Sequence, residues 1–321
     1  MTVAITLLAY AAALGAAAPR LLGRASWPDR APRLAIAVWQ AVSVSALAAA
    51  ALAGLVLAVP SARLSTDLAA LLRTCVLSLQ ASYATPGGAG IAGAGLTLTA
   101  TLLLRVGYCA GRGLCRSARA RRRHARTLAV LARPTPGLGA VVVDHPTAAV
   151  YCLPGRARRV VLTSAAVAVL RPDQLHAVLA HERAHLAGRH HLVVAGADAC
   201  ARAFPAVPLF TTAHREIIRL VELAADDAAT RRHARLSVAA ALAALASSAS
   251  PGAGLAAGGP TALGRVRRLL QPAHPLGVAR TAIGAALVAA VLLTPLVVAA
   301  APAWAAAHTA SCPLSAIGTP A

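Results

Sequence analysis

The chain has 321 residues, 58% of them hydrophobic and 13% charged, where an ordinary soluble globule carries about a quarter charged. That composition excludes a typical soluble fold, and 3% aromatic content argues against a nucleic-acid surface built on stacked rings. All 31 basic residues are Arg, and the formal net charge is +21. Any chemistry that needs a glutamate must therefore draw on Glu182, Glu216 or Glu222. The length accommodates about two domains.

Three uncharged apolar stretches open the chain, Met1 to Pro19, Leu34 to Ala62 and Gly87 to Leu104, each near the roughly 20 residues that a helical membrane span requires. The first has no basic segment ahead of it and is read as a retained span, not a signal peptide. Arg20, Arg24, Arg30 and Arg33 follow the first stretch, and Arg105, Arg112, Arg116, Arg119, Arg121, Arg122, Arg123 and Arg126 follow the third. A fourth span is predicted over Thr281 to Ala307, preceded by Arg265, Arg267, Arg268 and Arg280. By the positive-inside rule all three clusters face the cytoplasm, which puts both termini outside and residues 105–280 inside. The run from Arg116 to Arg126 invites a nucleic-acid reading, but topogenic arginines against anionic headgroups explain it without a groove-reading motif, so no direct nucleic-acid binding is expected. The expected layout is a multi-pass cell-membrane protein: spans in 1–108, a cytoplasmic domain in 109–280, and in 281–321 the last span with a short tail.

The six cysteines form no CxxC pair, so a disulfide scaffold or zinc ribbon has little support. Cys75 and Cys312 share the outer compartment in this topology, which permits a bridge between them.

Inside the cytoplasmic block, Gly139 to Val143, Ala148 to Leu153 and Arg159 to Leu162 predict short strands, with turns at Asp144-His145-Pro146 and Pro154-Gly155. An exposed strand edge there would suit pairing with an extended substrate backbone, although a sheet that only packs a helix explains the same pattern. Pro172-Asp173 then opens a helical pattern with Leu175, Val178, Leu179 and Leu186 on one face. Within it stands His181-Glu182-Arg183-Ala184-His185. Histidines at i and i+4 project from one side of a helix, where both can hold one Zn²⁺ while the intervening Glu182 serves as general base. With 11 His and three Glu in the chain, roughly 0.003 chance matches to HExxH are expected, so the motif outweighs an ordinary surface helix.

A catalytic zinc site needs a third protein ligand. Glu222 can supply it, and Asp226, one turn on, can support a ligating His through its second ring nitrogen. Leu192 to Thr212 is apolar enough to resemble a span, but one crossing would separate Glu222 from His181 and His185, so it is read as a helix and a Pro-bent turn near the membrane surface. Ser247 to Pro260 reads as a flexible linker. For a donor to the transition-state oxyanion, His214, Arg219, Arg231 and His233 all remain open.

Taken together, Tyr151-Cys152-Leu153-Pro154-Gly155, Val160 to Thr163, the HExxH helix and Glu222 to Asp226 resemble the catalytic core of integral-membrane gluzincin peptidases. The four-span layout resembles antirepressor peptidases of the BlaR/MecR type more than the related HtpX and CAAX prenyl endopeptidases. The resemblance implies a mainly α membrane protein with an α+β zinc metalloprotease domain, Zn²⁺ on His181, His185 and Glu222, Glu182 as catalytic residue, and a winged-helix repressor as first candidate substrate. BlaR/MecR sensors carry a large extracellular penicillin-binding domain after the last span, and here only Pro302 to Ala321 follow, so direct β-lactam sensing is not expected. A non-catalytic membrane signalling scaffold with a structural metal site is the rival reading. Glu182 opposes it, since a structural site has no use for a general base.

Overall fold

A computed structural model of the chain describes residues 1–58, 87–135, 137–155, 158–248, 259–272 and 274–309. The described chain is mostly helical. Helices α1 (Thr2–Gly23), α2 (Pro32–Ala58), α3 (Gly88–Leu131) and α10 (Val278–Thr309) are long, and among the described residues each is apolar enough to cross a membrane over at least part of its length. Helix α3 exceeds its predicted span because its Arg-rich second half stays helical: Arg and Ala are strong helix formers and no Pro interrupts them. The Cys75–Cys312 pairing, the loop from Arg63 to Pro86 and most of the linker from Ser247 to Pro260 lie outside the described residues.

The chain divides into two compact units. In the first (Met1–Arg20, Ala41–Gly107 and Ala285–Ala321), helix contacts rest on small residues and a few hydroxyls. A Cβ on Gly54 would fall 2.6 Å from Gly95 O, and one on Gly95 would fall 2.9 Å from Leu57 Cβ. Thr99 Oγ1 donates to Ala51 O at 2.9 Å. This is the close backbone approach that small residues give membrane helices. Tyr10 and Ser45 also share the Val291 carbonyl, at 3.1 and 2.6 Å.

The second unit (Leu21–Gln40 and Tyr108–Gly284) carries a four-stranded sheet of β1 (Arg133–Thr135), β2 (Ala140–Val143), β3 (Val150–Leu153) and β4 (Arg159–Thr163), in the order β1-β2-β4-β3. Strands β2 and β4 run parallel, the outer pairs antiparallel. Sequence pattern does not predict β1, a three-residue edge strand containing Pro134, which an edge tolerates because it needs fewer ladder donors. The alternation of β3 sorts its side chains by face. Val150 and Cys152 pack toward the core of α5 (Pro172–Ala187), with Leu175, Val178 and Leu179, whereas Leu153 and Tyr151 pack with Val161 and with Leu128 of α3.

Helix α4 (Ser164–Val169) begins on Thr163, whose Oγ1 accepts from Ala166 N at 3.2 Å. Helix α5 begins at Pro172, and the Gln174 side chain accepts the Arg171 N–H at 3.0 Å. After α6 (His190–Ala203), a turn containing Pro205 leads into α7 (Pro208–Ala229), which packs on α5 and α6. Leu192 to Thr212 is thus two helices folded back on one another. Helices α8 (Arg235–Ser248) and α9 (Gly259–Leu270) close the unit, burying Val238, Ala239 and Leu269 against Ala177 and Ala229.

Candidate metal centre

The i, i+4 spacing on α5 brings His181 and His185 together, with Nε2 atoms 3.1 Å apart. Helix α7 brings Glu222 to them, each Nε2 lying 3.5 Å from one of its carboxylate oxygens. Among the described residues this trio can hold a metal ion, its candidate ligand atoms all within 4.8 Å of one another. Two imidazoles and one carboxylate are the donor set of catalytic zinc sites that keep a position open.

Behind the trio, Asp226 is fully buried and its Oδ1 lies 2.9 Å from His181 Nδ1, a charge contact whose angle falls short of a full hydrogen bond. On the other histidine of the trio, His190 Nδ1 lies 2.9 Å from His185 Nδ1. If His185 donates there, its Nε2 lone pair faces the centre. The chain turns tightly to allow this: Arg189 is left-handed at φ 49°, and a Cβ on Gly188 would fall 2.6 Å from the His190 ring. His190 is a supporting residue that sequence reasoning missed, although a histidine just after Gly188 was a visible signal.

Arg265 of α9 is the larger omission. Sequence reasoning assigned it to the topogenic cluster before span four, yet its side chain is mostly buried, with two nitrogens on Asp226 at 2.7 and 2.8 Å and a third on Glu222 at 2.9 Å. No local motif marks it, since α9 reaches α7 only through the tertiary fold. The candidate oxyanion donors fare differently. His214 lines the cleft that contains His185 and Glu222. Arg219 is paired with Asp29 at 2.5 Å and Glu216 at 3.0 Å. Arg231 and His233 line a separate cavity beside Arg33.

Burial alone would depress His181, but the Asp226 and Glu222 carboxylates raise it to about 9. Burial pushes His185 down to about 4 against the pull of Glu222. Burial also opposes ionisation of Glu222, yet His181 and Arg265 beside it hold it at about 2. Asp226 is likewise lowered, burial being outweighed by Arg265 and His181. Glu182 moves the other way: burial raises its pKa, against His181 and a hydrogen bond from Cys152. The Cys152 thiol is pushed to about 12 by burial and by Glu182, which keeps it protonated.

No curated protein and no solved structure matches the chain. Residues 116–273 match the family model of peptidase family M48. This segment contains both histidines, Glu182, Glu222, Asp226 and Arg265, and the match supports an M48 metallopeptidase family, which is zinc-dependent.

Proposed function

We propose that the chain is a membrane-embedded zinc endopeptidase of the BlaR/MecR type, with its catalytic domain in the cytoplasm and both termini outside. The observation that carries the peptidase reading is the meeting of His181, His185 and Glu222 around one point, with Glu182 between the two histidines in sequence. The arginine clusters support the orientation. The apolar helices support multi-pass residence in the membrane, in contact with its lipids. The substrate we infer is a cytoplasmic or membrane-proximal protein, with a winged-helix repressor in a signalling pathway as first candidate.

In this reading His181, His185 and Glu222 would hold a zinc ion, which would supply Lewis-acid chemistry to a scissile carbonyl and its attacking water. Glu182 accepts the water's proton and delivers it to the leaving amine. Burial raises its pKa, which strengthens it as a proton acceptor. Asp226, through its charge contact with His181, and His190, through Nδ1 of His185, orient the two imidazoles, as polar partners behind metal ligands do. Arg265 keeps Asp226 ionised and restrains Glu222.

Glu182→Gln tests the proposal. The amide preserves size and leaves the ligands in place, but accepts no proton. Zinc content of the detergent-purified protein should stay at the wild-type level, while peptide cleavage falls by roughly 10²- to 10⁴-fold. Undiminished cleavage would remove Glu182 from the mechanism. A cellular effect that persists without cleavage would mean a metal-stabilised signalling scaffold.

A further inference from the structure

Two cavities meet at the metal centre, and their linings differ in kind. The smaller, about 260 Å³, is lined by His181, Glu182, Glu222 and the ion-paired Arg265, and otherwise by aliphatic side chains that include Val150, Leu242 and Leu245. It is below the roughly 300–1,000 Å³ of pockets that enclose a drug-sized ligand, so it suits one side chain, and most of its lining is aliphatic. The larger, about 850 Å³, runs from His185 and Glu222 past Cys152 to Arg116 and Arg121 of α3 and to His190, His191 and His214.

The net charge of the larger cleft is positive. Asp198 there is matched by Arg202 at 2.7 Å, and Glu222 by Arg265. Among the described residues Arg116 and Arg121 have no carboxylate within ion-pair distance. Burial, reinforced by Arg121, lowers the pKa of His191, so that ring adds little to the charge of the two arginines.

Strand β3 relates the two cavities. Val150 lines the first and Cys152 the second. They are two residues apart on one face of the strand, roughly 7 Å along it. The outer edge of β3 pairs with no strand among the described residues, so an extended peptide added there passes the aliphatic pocket, the metal centre and the basic cleft in turn.

We infer that the site reads its substrate on both sides of the scissile bond, taking an aliphatic side chain beside Val150 and an acidic one beside Cys152, about two residues apart. The inference rests on the peptidase reading and adds the substrate class: an extended segment that pairs a Leu, Ile or Val with an Asp or Glu across the cut.

The test is a digest of a random peptide mixture by the detergent-purified, zinc-loaded full-length protein, with cut sites read by mass spectrometry. Expected is enrichment of Leu, Ile or Val on one side of the cut and of Asp or Glu on the other, with Leu preferred to Ala by at least the roughly 10-fold that one missing methylene costs in an apolar pocket. Leu245→Trp, which fills the pocket, should collapse the Leu-over-Ala ratio toward one. Arg121→Glu, which sets a carboxylate against the remaining Arg116, should abolish the acidic preference, and added salt should weaken that preference in the wild type. Zinc content of each variant reports that the domain is folded. Cleavage at sites with no side-chain preference would overturn this inference and leave the peptidase reading intact. No cleavage of any peptide by zinc-loaded protein would overturn the peptidase reading itself. An acidic preference untouched by Arg121→Glu, with weaker binding of the variant to anionic vesicles, would assign that arginine to lipid and overturn the acidic half.

Discussion

Replacing Arg265 with Leu separates the charge network from the candidate metal site beside it. Asp226 is fully buried and the Arg265 side chain mostly so, and the guanidinium spans Asp226 with two nitrogens at 2.7 and 2.8 Å. Removing one partner of such a pair strands a buried charge, which costs about 3–5 kcal/mol. The arm to Glu222 adds no more than about 1 kcal/mol, because that carboxylate is 35% exposed and screened by solvent. His181, 2.9 Å from Asp226 and still protonated near neutral pH, offsets part of the loss, so the lower half of the range is expected. For a domain of this size each kcal/mol corresponds to roughly 2–4 °C, giving a fall in Tm on the order of 6–15 °C. The assay is thermal unfolding of the detergent-solubilised protein with a chelator present. Combining Arg265→Leu with Asp226→Asn removes the stranded charge and should recover most of the loss. Arg265→Lys should fall between, since a single ammonium cannot reproduce the forked contact. A single-variant effect below about 1 kcal/mol, or a double variant no better than the single, would refute this account.

His190→Ala should weaken zinc binding by roughly 10- to 100-fold in chelator competition while the fold persists, and His190→Asn, which retains an acceptor, should restore part of it. Gly188→Ala should reproduce the His190→Ala loss by pushing the ring off His185; wild-type affinity in Gly188→Ala would show that the turn does not matter. Because the metal-free site holds a proton on His181 up to about pH 9 while His185 is neutral above about pH 4, zinc should displace one proton. Its apparent affinity should then rise tenfold per pH unit from about pH 5 to 9 and level off above, and two protons released in calorimetry at pH 7 would contradict the assignment. A reporter active only in the cytoplasm should work when fused after Arg126 and fail when fused after Ala321; the reverse at either site would overturn the proposed orientation.

The division between what was readable in the chain and what was not follows the range of the interactions. Apolar runs with flanking arginines, and the helix that begins at Pro172 and carries His181, Glu182 and His185, are legible because span length, 3.6-residue periodicity and i, i+4 spacing are local properties. Glu222 was reachable because HExxH requires a third ligand and few glutamates exist, and Asp226 because it follows Glu222 by one helical turn. Strand β1 was not, because three residues including a Pro carry no period. Nothing local ties Arg265 to Asp226, Cys152 to Glu182, or the cavity beside Val150 to the cleft beside Cys152. Those relations arise where α9 and β3 pack against α5 and α7, and the energy that makes them matter is the desolvation of charge, which no residue has until the fold buries it.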